Sequence, residues 1–201
     1  MKILKRSLLL LVVIVITAAI YNYPKLNIIA GYSAKSMNSS VYLAERTHQF
    51  TDTTDNNFSP INLGTDEVNF DEKTSTSSVF GLLTRKAIYR EGLGSVLIVD
   101  DYDSSKKLLV PKRIKPDNLT PYPFGNADQK DSVFTNVDYD KLNKSVNTIF
   151  SNNTQTRAVI VLHKNKIIAE KYANGFHKNS KILGWSMTKS IMSTVIGIMQ
   201  K

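Results

Sequence analysis

The segment from Ser186 to Met199 constrains the fold more than any other part of the chain. A helix that is apolar on all sides must be buried on all sides. The residues after Met199 carry no Gly or Pro stop signal and offer nothing to cover the helix. We therefore expect the N-terminal part of a longer protein, truncated after this helix; the alternative is a short protein that buries the helix in an oligomer. The apolar residues that cover most of its circumference are Ile191, Met192, Val195, Ile196, Ile198 and Met199.

A serine and a lysine three residues apart stand at the head of this helix. Ser186 and Lys189 share one helical face, so the hydroxyl and the amine can meet one turn into the helix. A serine becomes a nucleophile when a base takes its proton, and a lysine serves as that base when burial or nearby positive charge keeps it neutral. The alternative is that Ser186 is an N-cap and Lys189 a surface lysine. Ser104 and Lys107 have the same spacing, but they follow an Asp-rich run and we interpret them as a solvated turn.

The residues around the Ser186 pair resemble a known family. Thr156–Tyr172 is similar to the first hairpin of the serine β-lactamase and penicillin-binding-protein superfamily. Leu183–Ser190 resembles the nucleophile motif of its class C-like branch of serine hydrolases. The resemblance implies an α/β sandwich of the β-lactamase/transpeptidase type, an antiparallel sheet with helices, of which this chain holds the N-terminal part. It also implies that Ser186 is the acylated nucleophile, that Lys189 is its general base, and that the Ser186 N–H is one oxyanion donor.

The chain also departs from that family. Active members carry a Tyr-x-Asn or Ser-x-Asn motif and a Lys/His-Thr/Ser-Gly motif, both after the nucleophile. Neither motif lies between Ser190 and Lys201, and no Lys-Thr-Gly, Lys-Ser-Gly or His-Thr-Gly occurs anywhere, so we expect this chain to be inactive alone. Four tripeptides of the second form precede the nucleophile, and we interpret them as loop or strand-end residues: Ser36-Met37-Asn38, Ser145-Val146-Asn147, Ser151-Asn152-Asn153 and Tyr172-Ala173-Asn174.

Part of the N-terminal half resembles, more loosely, one exported group within the same branch. Members of that group tend to have cysteines near the positions of Ser39 or Ser40 and of Ser95, so the resemblance implies that a bridge has been lost here. The chain contains no Cys, which excludes disulfides and thiol chemistry. The segments that carry this looser resemblance are Gly31–Lys35, Val41–Arg46 and Ala87–Ser95.

The N-terminus has the layout of an export signal or a membrane anchor. Three cations, Lys2, Lys5 and Arg6, precede an apolar run over Leu8–Ile20. No convincing Ala-x-Ala cleavage site follows, so we favour an uncleaved anchor over a cleaved signal. Because positive flanks stay cytoplasmic, the bulk of the chain is expected outside the cytoplasm, on a single-pass membrane protein.

The charge and composition of the chain limit the classes of partner and cofactor that we expect. The net charge of +9 has two readings, attraction to anionic lipid or wall polymer and a solvated basic face, and we prefer the second. No P-loop, Gly-rich dinucleotide turn or zinc-type set of ligands is present, and His48, His163 and His177 are far apart and unpatterned. We therefore assign no cofactor, no metal and no nucleic-acid partner; the expected partners are the membrane and a small-molecule ester or amide substrate.

The pattern of apolar residues and turn formers divides the chain into three parts. We expect a membrane helix over residues 1–23, an N-terminal extension over 24–150, and the start of a hydrolase domain over 151–201. The elements expected are helices over Gly31–Arg46 and Tyr139–Phe150, strand-like pieces over Glu67–Phe70, Ser77–Leu83, Ala87–Tyr89 and Ser95–Val99, loops over Thr51–Thr65 and Lys106–Asp131, a hairpin of Arg157–His163 with Lys166–Tyr172, and a helix that begins near Ser186.

Three functions of different classes fit these features. The first is an exported serine hydrolase that acts on an ester or amide through an acyl-enzyme at Ser186. The second is a cell-wall D-alanyl peptidase or transpeptidase with the same nucleophile, which a downstream Lys-Thr-Gly would support. The third is a non-enzymatic envelope protein or inactive remnant. We favour the first because Trp185–Lys189 looks most like the hydrolase branch.

Overall fold

The computed structural model describes residues 2–99, 102–103, 110–112, 120–122, 124–125, 127–129, 133–151 and 154–200. The chain forms two compact units, Met1–Arg113 and Ile114–Lys201, which are described separately below. Both units contain helices and antiparallel strands, and an apolar helix precedes the sheet of the first unit. The chain is therefore of mixed α/β class.

The first helix, α1, spans Lys2–Asn22 and exposes its apolar side chains from Leu8 to Ile16. Its 21 residues, at about 1.5 Å of rise each, cover about 31 Å, the thickness of a bilayer's hydrocarbon core. By length and composition it is long and apolar enough to cross a membrane. A single 3₁₀ turn, Tyr23–Lys25, joins it directly to the next helix. The expected apolar helix over residues 1–23 is thus present, while the choice between anchor and cleaved signal stays a prediction.

The second helix, α2 (Leu26–Tyr42), packs on a four-stranded antiparallel meander. The strands are β1 (Gly64–Asn69), β2 (Thr74–Val79), β3 (Leu83–Arg90) and β4 (Gly94–Leu97), hydrogen-bonded in chain order. The core between helix and sheet is formed by small and medium apolar side chains that are fully buried, because small residues let the two layers approach closely. These are Ala30, Ala34, Met37, Val79 and Ala87.

Polar side chains fill the rest of the interface between α2 and the sheet. Asn38 is fully buried, and its amide nitrogen donates to the carbonyl oxygens of Lys73 at 3.2 Å and Ala87 at 3.4 Å. Its amide oxygen accepts a hydrogen bond from Ser95 Oγ at 2.6 Å. One helical residue therefore holds three separate segments of the sheet.

Most expected elements of this unit are present with shifted boundaries. The strand-like piece expected over Ser77–Leu83 is wrong in part, because β2 ends at Val79 and residues 80–82 form the turn to β3. The helix expected over Gly31–Arg46 begins at Leu26, because Pro24 stands at the start of the preceding 3₁₀ turn, where a proline fits a helical φ angle. The loop expected over Thr51–Thr65 is wrong in part: residues Thr51–Asp55 form a π-helical turn that continues the short helix α3 (His48–Phe50), and Ile61–Leu63 form a 3₁₀ turn. Thr47 starts α3, because its side chain accepts a hydrogen bond from the Phe50 N–H.

The second unit contains helix α4 (Tyr139–Ser151), a two-stranded hairpin and helix α5 (Met187–Met199). The hairpin pairs β5 (Ala158–His163) with β6 (Lys166–Tyr172). Its turn residues, Lys164 and Asn165, have φ angles of 47° and 60°, as a tight two-residue turn between twisted strands requires. These predictions are confirmed nearly to the residue. Most of the loop expected over Lys106–Asp131 lies outside the described residues.

Candidate functional site

The candidate site lies where the chain enters α5. Trp185 has a φ angle of 44°, in the left-handed region, so the backbone turns sharply just before Ser186. The N–H groups of Met187, Thr188 and Lys189 then donate to carbonyl oxygens three residues back, at 2.9, 3.2 and 3.1 Å. These bonds form a tight 3₁₀ entrance to the helix, and the Thr188 hydroxyl reinforces it by donating to the Trp185 carbonyl at 2.8 Å.

Ser186 and Lys189 meet at this entrance. Lys189 Nζ lies 3.5 Å from Ser186 Oγ, a long contact for a hydrogen bond. Ser186 is the N-cap residue of α5, yet its side chain makes no capping hydrogen bond. The Ser186 hydroxyl therefore contacts the Lys189 amine and does not cap a backbone N–H of the helix. The spacing predicted from the sequence is therefore realised in space.

The surroundings of the pair are open. Ser186, Lys189 and every residue of α5 are exposed, including Met187 and Ile191, at 65% and 64%. The Ser186 N–H makes no backbone hydrogen bond within the described residues, so it is available to an oxyanion. A dry surrounding for Lys189, which the role of a base requires, is not formed in this structure.

Other residues singled out in the sequence belong to other elements of the fold. Ser36-Met37-Asn38 is in α2 and Ser145-Val146-Asn147 is in α4, so their interpretation as loop or strand-end residues is wrong. Asn38 has its buried structural bonds, and Asn147 Oδ1 accepts from Lys171 Nζ. Tyr172 lies at the end of β6, as expected. The Ser104–Lys107 match and Asn152-Asn153 lie outside the described residues.

A groove of about 860 Å³ lies against β6, and sequence reasoning did not identify it. Its lining includes two polar pairs. Lys178 Nζ donates to Asp128 Oδ1 at 2.9 Å, and this hydrogen bond raises the pKa of Lys178. The Tyr172 hydroxyl donates to the Glu170 carboxylate, which raises the pKa of Tyr172 to about 12. Because Asp128 and Lys178 are 50 positions apart, no local sequence pattern indicates the groove.

Within the described ranges, no three His, Asp or Glu side chains are placed to hold a metal ion. The groove is lined by neither Ser186 nor Lys189, so the candidate nucleophile and this groove are separate features of the second unit. Comparison with protein-family models, with curated proteins and with solved structures finds no match for this chain, so the family resemblance rests on the sequence motifs alone.

Proposed function

We propose that this chain carries the nucleophile of an exported, membrane-anchored serine hydrolase that acts on an ester or amide through an acyl-enzyme at Ser186. The observation that carries the proposal is the 3.5 Å contact between Lys189 Nζ and Ser186 Oγ at the start of an apolar helix. The hydroxyl is free of any capping role, and the backbone N–H beside it is open. A nucleophile, a base and an oxyanion donor thus lie within one turn of chain.

The chemistry follows from these three groups. As Ser186 Oγ bonds to the substrate carbonyl carbon, its proton moves to a neutral Lys189 amine and the carbonyl oxygen takes up the electron pair. The Ser186 N–H and a further donor stabilise that oxyanion. Collapse breaks the bond to the leaving alcohol or amine, which takes the proton from Lys189. Water then cleaves the Ser186 ester and restores both side chains.

The amine works in this scheme only when it is uncharged, and an amine in water holds a proton at neutral pH. Lys189 is exposed here, as is the apolar circumference of α5. An exposed apolar surface of this kind is a surface for further protein to cover. We therefore propose that α5 and Lys189 become dry when this surface is covered, and that the purified chain alone reacts slowly.

The first unit supports the family resemblance independently of the nucleophile. The resemblance implies a lost bridge between the region of Ser39 or Ser40 and that of Ser95. Ser95 Oγ lies 2.6 Å from Asn38 Oδ1, so β4 and this part of α2 are in direct contact. A hydrogen bond thus joins the two segments that cysteines would join in the related group.

The location of the enzyme follows from α1. Three cations precede its apolar run, so the N-terminus stays in the cytoplasm and the chain from Tyr32 onward is exported to the periplasm or cell surface. The helix is exposed along the whole apolar run, as a lipid-facing segment is. This arrangement presents Ser186 to substrates outside the cytoplasm.

The proposal is tested by labelling envelope membranes of the cells that make this protein with a fluorophosphonate probe. Trypsin releases the peptide from Ile182 to Lys189, in which Ser186 is the sole serine. We expect the phosphonyl adduct on this peptide. It should disappear in a Ser186→Ala variant. In Lys189→Ala, trypsin no longer cuts after residue 189, so the adduct is sought on the peptide from Ile182 to Lys201; it should nearly disappear, because both nucleophile and base are needed.

The second Ser-x-x-Lys match supplies the matched control. Ser104→Ala and Lys107→Ala remove the same residue types at the same spacing and should leave labelling unchanged. Labelling that survives Ser186→Ala, or membranes that show no adduct on this peptide, would remove the hydrolase assignment. Efficient labelling of the purified 201-residue chain would instead show that no covering of α5 is needed.

The exposure of the pair favours one further candidate, a non-enzymatic envelope protein in which Ser186 is a helix-entry residue and Lys189 a surface lysine. It predicts no adduct in the membrane experiment and a protein level and location unaffected by Ser186→Ala. The labelling result separates the two functions.

A further inference from the structure

The turn between β2 and β3 lies beside the junction of α1 and α2. The Tyr23 hydroxyl, one residue past the end of α1, donates to the carbonyl oxygen of Leu82 at 3.2 Å. Leu82 belongs to the three-residue connection Phe80-Gly81-Leu82, which we name the β2–β3 tip. A second contact fixes the same corner, since Arg85 Nε donates to Asn27 Oδ1 at 2.7 Å. The tip is thus held at the height of the last turn of α1.

The β2–β3 tip is apolar and faces outward. Phe80 and Leu82 are 66% and 64% exposed, and around the junction Ile20, Tyr21 and Ile28 are exposed to a similar degree. Large apolar or aromatic side chains are therefore exposed in both of the chain segments that the Tyr23–Leu82 hydrogen bond joins. Exposed apolar groups of this kind mark a binding surface rather than a random surface position.

Backbone strain at the tip points in the same direction. Phe80 has a φ angle of 55° and Gly81 one of 67°, the left-handed pair of a tight hairpin turn. Glycine, asparagine and aspartate fit the first of these positions, whereas a bulky residue there is strained by about 1–2 kcal/mol. The exposed ring of Phe80 does little packing within the unit in return for this strain.

The charged groups near the junction suit a lipid headgroup region. Lys25 Nζ lies over the Tyr21 ring at 4.5 Å and also donates to Asn22 Oδ1, so its ammonium is held just beyond the apolar run. Tyrosine rings and lysine ammonium groups at the end of a membrane helix take positions at the bilayer interface. If Tyr23 lies at that depth, so does the carbonyl of Leu82.

We propose that the β2–β3 tip inserts into the interfacial region of the leaflet from which α1 emerges, as a second membrane contact of the first unit. The partner is a lipid surface, with Phe80 and Leu82 entering the boundary of headgroups and acyl chains, a depth of about 5–10 Å for apolar groups of this kind. The inference rests on the membrane anchoring of α1 in the proposed function and is independent of the chemistry at Ser186.

The test places a single tryptophan at defined positions of the full chain. Trp185 is the one tryptophan, so Trp185→Phe gives a silent background. Phe80→Trp, and separately Leu82→Trp, are reconstituted in phosphatidylcholine/phosphatidylglycerol vesicles with or without brominated acyl chains. We expect a blue-shifted emission and roughly a twofold loss of intensity on bromination at both positions, because the tip reaches the acyl boundary.

Phe70→Trp is the matched control. Phe70 follows β1 at the opposite end of the sheet, with its ring 6.2 Å from that of Tyr42 at the far end of α2, and it is as exposed as Phe80. The β2 strand of six residues, at about 3.3 Å each, puts the two turns roughly 20 Å apart. The emission of the Phe70→Trp variant should stay unchanged when the acyl chains are brominated.

Leu11→Trp, in the middle of α1, reports on the anchor itself. Quenching at Leu11 without quenching at either tip position would overturn the inference and leave the anchor intact. Equal quenching at Phe70 and Phe80 would also overturn it, since the contact would not be specific to the tip. No quenching at Leu11 would overturn the anchoring and, with it, this inference.

Discussion

Replacing Asn38 with alanine is expected to lower the unfolding free energy of the first unit, because this one side chain bonds α2 to several segments of the sheet. The side chain is fully buried and makes three hydrogen bonds, two as a donor to carbonyl oxygens and one as an acceptor from Ser95 Oγ. The Lys73 carbonyl keeps a second partner in the variant, because it also accepts from the Tyr89 N–H at 2.9 Å. The Ala87 carbonyl and the Ser95 hydroxyl each lose the bond that Asn38 supplies.

The magnitude follows from these bonds. Each is worth about 1 kcal/mol of unfolding free energy, so the three together give about 3 kcal/mol. Alanine is a better helix former than asparagine and returns roughly 0.5 kcal/mol to α2. The net loss is about 2.5 kcal/mol. Ser95→Ala removes one bond and leaves Asn38 Oδ1 buried without it, at about 1–2 kcal/mol.

The assay is amide hydrogen exchange of the full chain in lipid nanodiscs, followed by mass spectrometry of peptides from α2 and β3. A loss of about 2.5 kcal/mol corresponds to exchange roughly 60-fold faster, since 1.4 kcal/mol is a factor of ten. Asn57→Ala, which truncates an exposed asparagine, should change these rates by less than about threefold. Equal protection in Asn38→Ala and the unaltered chain would refute the account of α2 as fastened by this side chain. In the double variant Asn38→Ala/Ser95→Ala, the loss of unfolding free energy should be about 1 kcal/mol smaller than the sum of the two single-variant losses.

Three further results are expected. Arg46 and Asp55 form a buried ion pair at 2.5 Å, so Arg46→Met should destabilise the first unit by about 3–5 kcal/mol in the same exchange assay, and a loss below about 1 kcal/mol would contradict the pairing. The hydrogen bond to Glu170 raises the pKa of Tyr172 from the ordinary value of 10.0 to about 12, so the stability that this bond contributes is complete below pH 10 and is lost as the pH rises towards 12. The ultraviolet titration of Tyr172, measured as the difference from Tyr172→Phe, should move to lower pH in Glu170→Gln. An alkaline phosphatase reporter fused after Arg46 should be active and stay in the membrane pellet after an alkaline wash, whereas activity confined to a cytoplasmic reporter would reverse the topology.

The parts of the fold that were predictable from the sequence are those with strong local signals. The hairpin has a run of β-branched and other apolar residues on each side of Lys164-Asn165, and α4 has apolar residues at helical spacing, so both are predicted to within a residue or two. The Ser186–Lys189 contact followed from helical spacing alone. Its exposure did not, because burial depends on what packs against α5, and spacing within a helix carries no information about that.

The sequence pattern predicts α2 as a helix but does not indicate how polar its buried face is. Its buried face carries Ser33, Ser36, Asn38 and Ser40 beside alanines, so the apolar stripe that normally marks a core helix is broken. The interpretation of Ser36-Met37-Asn38 as loop or strand-end residues is wrong, because these residues lie inside α2 on its buried face. The polar residues of this face are buried because distant residues form hydrogen bonds with them. Ser33 Oγ, for example, donates to Asp66 Oδ2 at 2.7 Å, and the two residues are 33 positions apart in the sequence. Pairings at that separation are set by the tertiary fold and leave no local pattern.

The three-residue turn between α1 and α2 bears on proteolysis next to the proposed membrane anchor. Proteases that shed ectodomains cut extended chain, and surface proteins that are released in this way carry a flexible stalk. Here Tyr23–Lys25 is helical, and the next residues already belong to the helix that carries the core of the first unit. A cut beside the bilayer therefore requires the first turns of α2 to unwind, which would disturb the contacts of Asn27 and Ile29 with the rest of the unit. If α1 is the anchor that we propose, we expect the folded unit to resist release by such a cut.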